Sequence, residues 1–117
     1  MADEILLALS TFPEAETARQ IAEQLVTEHF VACANILPGV QSVYHWQGKV
    51  ENTAETMVFF KTTVMRLPAL QAKLKALHPY DVPEIVAVRV SDGLPEYLRW
   101  VSENCSSPNE ERRPNKG

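Results

Sequence analysis

The sequence predicts an α+β domain of the split βαβ, ferredoxin-like type, with an antiparallel sheet and two helices on one face. Apolar runs of strand character and stretches of helical periodicity alternate in the order strand, helix, strand, strand, helix, strand. A turn signal at Gln47-Gly48-Lys49 joins the two central strands into a hairpin. A shorter helical pattern closes the chain, which gives βαββαβ followed by a C-terminal helix.

The first half of the pattern begins with an apolar run from Glu4 to Ser10, which predicts a buried strand. Thr11-Phe12-Pro13-Glu14 has the T-x-x-E form of a capping box, with proline in the first helical turn. A helix with one apolar face is expected to follow. The apolar positions at helical spacing are Ala18, Ile21, Ala22, Leu25 and Val26.

The central hairpin is longer than a domain of this size needs. Its first strand is predicted over Val31 to Trp46, with a bulge at Pro38-Gly39 because proline cannot donate to a ladder. Its second strand is predicted over Thr56 to Val64, which is rich in β-formers. Each strand of the hairpin would have about 14 residues and span about 45 Å. The end of the hairpin, which carries aromatic side chains, is therefore expected to extend beyond the rest of the sheet. Such an arm exposes aromatic surface unless a partner covers it, so self-association is expected.

The second half contains a helix whose apolar residues are Leu67, Leu70, Leu74 and Leu77. This helix is expected to end near His78, because Pro79 pushes the preceding residue out of the helical region. Ile85 to Val90 predicts a fourth strand, and Asp92-Gly93 predicts a turn. A third helix is then indicated by the apolar positions Leu94, Tyr97, Leu98 and Val101.

Composition narrows the function classes. The 117 residues are 45% hydrophobic and 22% charged, with a net charge of -4, and the basic residues form no patch of the kind that nucleic acids require. The apolar start is too short for a signal peptide or membrane span, so a cytoplasmic protein without nucleic-acid or membrane partners is predicted. Residues 1-105 are predicted to form the domain, and the polar segment 106-117 a disordered tail.

No motif of an enzyme is present. The four glycines are isolated, so the sequence contains no phosphate-binding loop, and no nucleophile motif occurs. Two cysteines cannot form a disulfide framework, and Cys33, between two alanines, is interpreted as a small buried thiol. His29, at a helix end, is explained by the helix dipole.

The segment from His78 to Ile85, H-P-Y-D-V-P-E-I, leaves several interpretations open. Its prolines predict a stiff connector between helix and strand, with Tyr80 packed and the carboxylates solvated. Asp81 and Glu84 are alternatively an acid/base pair, although no nucleophile or cofactor motif accompanies them. His78 is a candidate metal ligand, with the same carboxylates as oxygen donors.

Five ordered motifs resemble the CutA family of divalent-cation-tolerance proteins over about residues 4 to 103. They are A-C-A-N-I-L-P-G-V (32-40), S-V-Y-H-W-Q-G-K (42-49), K-T-T (61-63), L-H-P-Y-D-V-P-E-I (77-85) and Y-L-R-W (97-100). The resemblance implies a ferredoxin-like subunit, a tight homotrimer, tolerance of copper and other divalent cations, and no enzyme reaction. It also implies an architectural kinship with the PII signalling trimers, which bind small effectors in clefts between subunits.

The resemblance also implies which residues form the sites. The inter-subunit cleft is expected to contain Cys33, Trp46, Lys61, Tyr80 and Glu84. The copper site of some bacterial members uses a cysteine at the end of the first strand and two consecutive histidines before P-Y. In this chain those positions are Ser10, Leu77 and His78, so only His78 remains as a strong ligand.

Two functional hypotheses follow. The first is a metal-binding tolerance protein that binds Cu(II) or another divalent cation weakly through His78, with carboxylates and Cys33 as further donors. The second is a PII-like sensor or scaffold whose cleft takes a small ligand or a partner protein. Ser10 and Leu77 argue against the first hypothesis, because neither side chain is a good ligand for a soft metal.

Overall fold

The computed structural model describes residues 4-105, and the predicted tail at 106-117 lies outside the described residues. Four strands and three helices follow the predicted order. They are β1 (Ile5–Phe12), α1 (Ala15–Thr27), β2 (Cys33–Trp46), β3 (Lys49–Thr63), α2 (Leu67–Leu77), β4 (Val86–Arg89) and α3 (Pro95–Glu103). No helix of the described part of the chain is long and apolar enough to cross a membrane.

The strands form one antiparallel sheet in the order β2-β3-β1-β4, which confirms the predicted α+β fold class. β1 lies centrally and pairs with β3 from Ile5↔Thr63 to Phe12↔Thr56. It pairs with β4 on its other side, from Leu6↔Arg89 to Leu9↔Val86. The two outer strands, β2 and β4, each pair with one neighbour among the described residues, so each has an open edge.

The hairpin of β2 and β3 continues well past the rest of the sheet. β1 stops pairing at Thr56, whereas β2 stays paired with β3 as far as Trp46↔Lys49. The residues beyond β1, Val40–Trp46 and Lys49–Glu55, form a two-stranded segment that we call the hairpin arm. The molecule measures 56 × 28 × 23 Å, so the predicted overhang is confirmed.

Two local backbone features shape the hairpin. The register shifts between Leu37 and Val40, which confirms the predicted bulge at Pro38-Gly39. At the tip, Gln47 and Gly48 have φ values of 51° and 79°. Two successive positive φ values are typical of the two-residue turn that matches the twist of β-strands.

The main core lies between the sheet and the helices α1 and α2. Because side chains alternate along a strand, Ala8 and Phe12 face the same side of the sheet and pack with Phe60 of β3. From the helices, Leu25 and Leu74 fill this core and are fully buried. A smaller second cluster joins α3 to the sheet through Val101, Ile5, Ala32 and Cys105.

The end of α1 is stabilised by its own backbone hydrogen bonds and by a contact with Arg66. His29 has a φ of 63°, and the backbone N–H groups of Phe30 and His29 donate to the carbonyls of Leu25 and Val26, at 2.9 and 3.1 Å. This is the Schellman arrangement, with histidine where glycine is usual. Arg66 Nε donates to the His29 carbonyl at 3.1 Å, which places a cation at the negative end of the helix dipole.

Several predicted boundaries are wrong. β1 continues to Phe12 and includes Thr11, so the predicted capping box does not form. α1 begins after Glu14, which makes no side-chain capping hydrogen bond. β3 begins at Lys49 instead of Thr56. β2 begins at Cys33 rather than Val31, and β4 is limited to Val86–Arg89.

Candidate functional site

His78 ends α2 and lies buried against β1. Its ring stacks on Phe12 with centroids 4.4 Å apart and the planes inclined by 17°. Its Nε2 lies 2.8 Å from the Thr11 carbonyl oxygen, and its Nδ1 lies 3.1 Å from the backbone nitrogen of Tyr80. A carbonyl can only accept and an N–H can only donate, so Nε2 carries the proton and Nδ1 is bare. His78 is therefore a neutral, doubly hydrogen-bonded side chain.

The environment of His78 favours this neutral form. Burial lowers the pKa of His78 below its ordinary value, because the charged imidazolium loses hydration. The Thr11 carbonyl and the Glu55 carboxylate act in the opposite direction without cancelling the effect of burial on the pKa. At neutral pH the ring therefore uses both nitrogens to tie the connector to the sheet.

The connector crosses from α2 to β4 beside the base of the hairpin arm. Pro79 and Pro83 restrict its backbone. Tyr80 reaches the arm, where its hydroxyl donates to Glu55 Oε2 at 2.6 Å. Burial, followed by this bond to a carboxylate, raises the pKa of Tyr80, so the phenol stays protonated and remains a donor. The predicted connector is therefore held to the hairpin arm by this hydrogen bond.

Between the connector and the arm lies a cleft of about 770 Å³. Its walls carry three aromatic and three acidic side chains, and no lysine or arginine is among the described residues that line it. The lining residues are Thr11, Ser42, Val43, Tyr44, Trp46, Glu55, Pro79, Tyr80, Asp81, Val82 and Glu84. The arrangement can accept a cation, because carboxylates and aromatic faces both attract positive charge.

Three of the five residues expected in a cleft line this one, namely Trp46, Tyr80 and Glu84. Cys33 and Lys61 lie elsewhere, opposite each other on β2 and β3, with Lys61 Nζ 3.9 Å from Cys33 Sγ. Their expected place in a cleft between subunits stays a prediction. The interpretation of Cys33 as a buried thiol is wrong, because its position on β2 leaves the side chain partly exposed.

The donors at the end of β1 do not fit a tight copper site. Ser10 Oγ is buried and has no hydrogen-bond partner among the described residues. Leu77 offers no donor atom, and a metal on His78 would have to displace either the Thr11 carbonyl or the Tyr80 N–H. Within residues 4-105, no three histidine, cysteine or acidic side chains are grouped closely enough to hold a metal ion. His78 as a ligand stays a prediction.

Two important cleft residues were missed by the sequence analysis. Glu55 and Tyr44 both belong to the hairpin arm, and Tyr44 is held by a 3.2 Å hydrogen bond to Thr53. The second strand was predicted to start at Thr56, one position after Glu55, so Glu55 was not assigned to the arm. Equal strand lengths on both sides of the Gln47-Gly48 turn would have placed it on the arm.

Comparison with known proteins gives a consistent result. A family model described as "CutA1 divalent ion tolerance protein" matches residues 6–104. The divalent-cation tolerance protein CutA of Thermus thermophilus is 49% identical over 98 residues, covering 84% of this chain and 95% of that protein. The rice protein "CutA 1, chloroplastic" is 40% identical over 94 residues, covering 80% of this chain and 53% of the longer rice protein.

The fold also matches that of a solved structure with a similar sequence. The divalent cation tolerance protein (Cut A1) structure from Thermus thermophilus superposes with a TM-score of 0.85 at 47% identity. The match covers 87% of this chain and 99% of that one. The family model and both Thermus thermophilus matches are named as tolerance proteins rather than as enzymes. The chain therefore belongs to the CutA1 divalent ion tolerance protein family.

Proposed function

We propose that the chain is a non-enzymatic divalent-cation tolerance protein that assembles into a homotrimer and binds divalent cations weakly. The acidic cleft is the single observation that carries this proposal. Glu55, Asp81 and Glu84 line it without a lysine or arginine among the described lining residues. Carboxylate oxygens are the donors that hard divalent cations prefer, and one or two of them suffice when water completes the coordination.

Weak binding is the expected regime for copper. His78 is engaged at both ring nitrogens, so a Cu(II) ion at this ring must compete with a hydrogen bond. Ser10 and Leu77 supply neither thiolate nor imidazole to compensate. The affinity for Cu(II) or another divalent cation is therefore expected to be about micromolar rather than nanomolar.

Self-association is supported by the exposed surface of the arm and by the open sheet edges. Val43, Trp46 and Val50 of the arm are 64%, 60% and 67% exposed. On the opposite edge, Val86 and Val88 of β4 are also exposed. Unpaired edges with apolar side chains favour pairing with another chain, and contact between two different edges gives a ring when the rotation between copies closes. The number three follows from the CutA resemblance.

A second candidate function is a PII-like small-ligand sensor or scaffold that acts through its clefts. The aromatic lining favours it, because Tyr44, Trp46 and Tyr80 offer a surface that bare metal ions do not need. A cytoplasmic location stays a prediction, since the rice relative is named chloroplastic. The expected absence of nucleic-acid and membrane partners also stays a prediction.

Calorimetric titration tests the metal proposal. Cu(II) and Zn(II) are titrated into wild type, Glu84→Gln and Glu103→Gln, where Glu103 is an exposed glutamate that does not line the cleft. Weak binding that Glu84→Gln reduces and Glu103→Gln leaves unchanged supports the proposal. Equal binding by all three proteins, or no heat of binding in any, contradicts it.

Sedimentation equilibrium tests the assembly. The chain mass is 13.1 kDa, and a homotrimer has three times that mass. Trp46→Ala removes an exposed apolar side chain from the arm and is expected to weaken the assembly, whereas His45→Ala serves as a neighbouring control. A species of the monomer mass at micromolar concentration would refute the trimer.

A further inference from the structure

The loop between β4 and α3 contains an aspartate that is followed directly by a glycine. Asp92 and Gly93 both lie at exposed positions outside the strands and helices. The loop leaves the sheet at Val90, whose N–H donates to the Ile5 carbonyl at 3.0 Å. Backbone outside the sheet and helices rearranges at lower cost than backbone within them, so this dipeptide can change its conformation while the fold stays intact.

The backbone nitrogen of Gly93 faces the side chain of Asp92. Its N–H donates to Asp92 Oδ1 at 2.9 Å. Because Oδ1 is bonded to Cγ, this contact also holds the nitrogen near the carboxyl carbon. Glycine has no Cβ, so no side chain hinders the approach of its nitrogen to the carboxyl group. These are the two atoms that join when an aspartate cyclises onto the amide that follows it.

We infer that Asp92 is a site of spontaneous isomerisation to isoaspartate in the folded protein. The Gly93 nitrogen forms a bond to Cγ, and its proton leaves together with the hydroxyl group of the protonated carboxyl group as water. The product is a cyclic imide. Water then opens this ring, which restores aspartate when the side-chain carbonyl is attacked and gives isoaspartate when the main-chain carbonyl is attacked. Water is the only co-reactant, so no oxidant, metal or bound ligand is needed.

Isomerisation at Asp92 is independent of the proposed divalent-cation function and of the way in which copies assemble. Both reacting atoms lie in one loop of one chain, and no pocket or partner is involved. Asp81 provides an internal comparison, because it is also exposed but is followed by Val82. The branched side chain of valine crowds its own backbone nitrogen and restricts the backbone around it. Asp81 is therefore expected to be the much slower site.

The reaction changes the connection between β4 and α3. The main chain of isoaspartate runs through the side-chain carbons and is longer by one carbon atom. Gly93 lies close against α3, since a Cβ added at Gly93 would be 3.2 Å from Leu98 Cδ2. Leu98 packs against the cluster through which Val101 joins α3 to the sheet. The added carbon is therefore expected to weaken the packing of α3.

Peptide mapping of aged protein tests the inference. The assembled full-length protein is kept in warm, mildly acidic buffer, and samples are digested with trypsin at successive times. Cleavage after lysine and arginine places Asp92 in peptide 90–99 and Asp81 in peptide 76–89, so the two sites are followed separately. Isoaspartate has the mass of aspartate, but its peptide elutes separately and resists a protease specific for aspartate. The isomer is expected to accumulate at least about tenfold faster at Asp92 than at Asp81.

A conservative variant and an unfolded sample complete the experiment. Asp92→Glu keeps the negative charge, but its longer side chain disfavours cyclisation, and no isomer is expected in its peptide 90–99. Equal rates at Asp92 and Asp81 would overturn the inference. If wild type isomerises only when it is aged in urea, the folded loop protects Asp92 and the inference is also wrong. Neither result depends on whether copper, zinc or another divalent cation binds.

The effect on α3 has its own measurement. Urea denaturation at one fixed subunit concentration is expected to reveal a less stable fraction in aged wild type that grows with the isoaspartate content of the sample. Aged Asp92→Glu is expected to lack this fraction. An unchanged transition in a sample that is largely isomerised would show that the longer loop does not disturb α3.

Discussion

Replacing His78 tests whether this histidine holds the connector to the sheet. His78→Ala removes the donor to the Thr11 carbonyl, the acceptor for the Tyr80 N–H and the ring stacked on Phe12. Each buried partner left unpaired costs about 1 kcal/mol or more, and the lost stacking adds about 0.5–1.5 kcal/mol. The expected loss in the free energy of unfolding is about 3 kcal/mol.

Three further variants divide this loss among the contacts. His78→Phe keeps an aromatic ring on Phe12 and loses both hydrogen bonds. His78→Asn can still accept from the Tyr80 N–H, and His78→Gln can still donate to the Thr11 carbonyl. Urea denaturation at one fixed subunit concentration measures the series, because self-association would otherwise change the apparent stability. A loss below about 1 kcal/mol in His78→Ala and His78→Phe would refute the structural role, since surface substitutions stay in that range.

The pH dependence of the same variants gives an independent measurement. Burial lowers the pKa of His78 in the folded protein, so in acid the unfolded chain binds a proton more readily than the folded one. The full contribution of neutral His78 to the free energy of unfolding is present above its ordinary pKa of 6.5. This contribution declines as the pH falls from 6.5 towards the lowered pKa of His78 in the folded protein. His78→Phe is expected to lack this part of the pH slope. An identical slope in wild type and His78→Phe would contradict the assignment.

Two further predictions concern residues next to the core. Arg66→Ala is expected to lower the free energy of unfolding by about 1–2 kcal/mol, because Arg66 donates to the carbonyl at the end of α1 and lies 4.2 Å from the centre of the Phe30 ring. Thermal unfolding measures this, with Arg99→Ala on α3 as the control, and an unchanged midpoint would contradict it. Ser10→Ala is expected to leave stability unchanged or raise it by up to about 1 kcal/mol, since the buried hydroxyl has no partner among the described residues. A loss above about 1 kcal/mol in urea would show that the hydroxyl does make a stabilising contact.

The helices were the most predictable part of the fold. Leucines at helical spacing and the proline after His78 define α2, and the structure confirms its end at Leu77. The bulge at Pro38-Gly39 was equally predictable, because proline has no N–H for the ladder. In both cases the rule is local to a proline, so the prediction did not depend on contacts with distant parts of the chain.

Strand boundaries depended on distant partners and were predicted less well. Thr11-Phe12 reads as a helix start, yet Phe12 is fully buried and pairs with Thr56 of β3. Lys49–Glu55 has few β-formers and extends as a strand because β2 supplies its hydrogen bonds. A pairing partner contributed by another segment cannot be deduced from local propensity.

The cleft was half predictable for the same reason. Tyr80 and Glu84 were expected in a cleft because the segment that contains them resembles a motif of the CutA family. Glu55 was missed because it lies 25 positions from Tyr80 and meets it across the cleft. Only the long pairing of the hairpin arm places Glu55 there, and that pairing is the feature that the strand prediction cut short.

His78 shows why a matching ligand position does not by itself establish a metal site. A neutral imidazole binds a metal through a bare nitrogen, and the bare nitrogen of His78 accepts the Tyr80 N–H. Metal binding at Nδ1 would therefore release the connector from the sheet, and Tyr80 also orients Glu55 in the cleft. A metal on His78 would therefore also loosen the connector where it lines the cleft. A thiolate at position 10 or an imidazole at position 77 would add a strong metal ligand and could offset the lost hydrogen bond. Ser10 and Leu77 add no such ligand. In this chain the hydrogen bond between His78 and the Tyr80 N–H is therefore favoured over metal binding at His78.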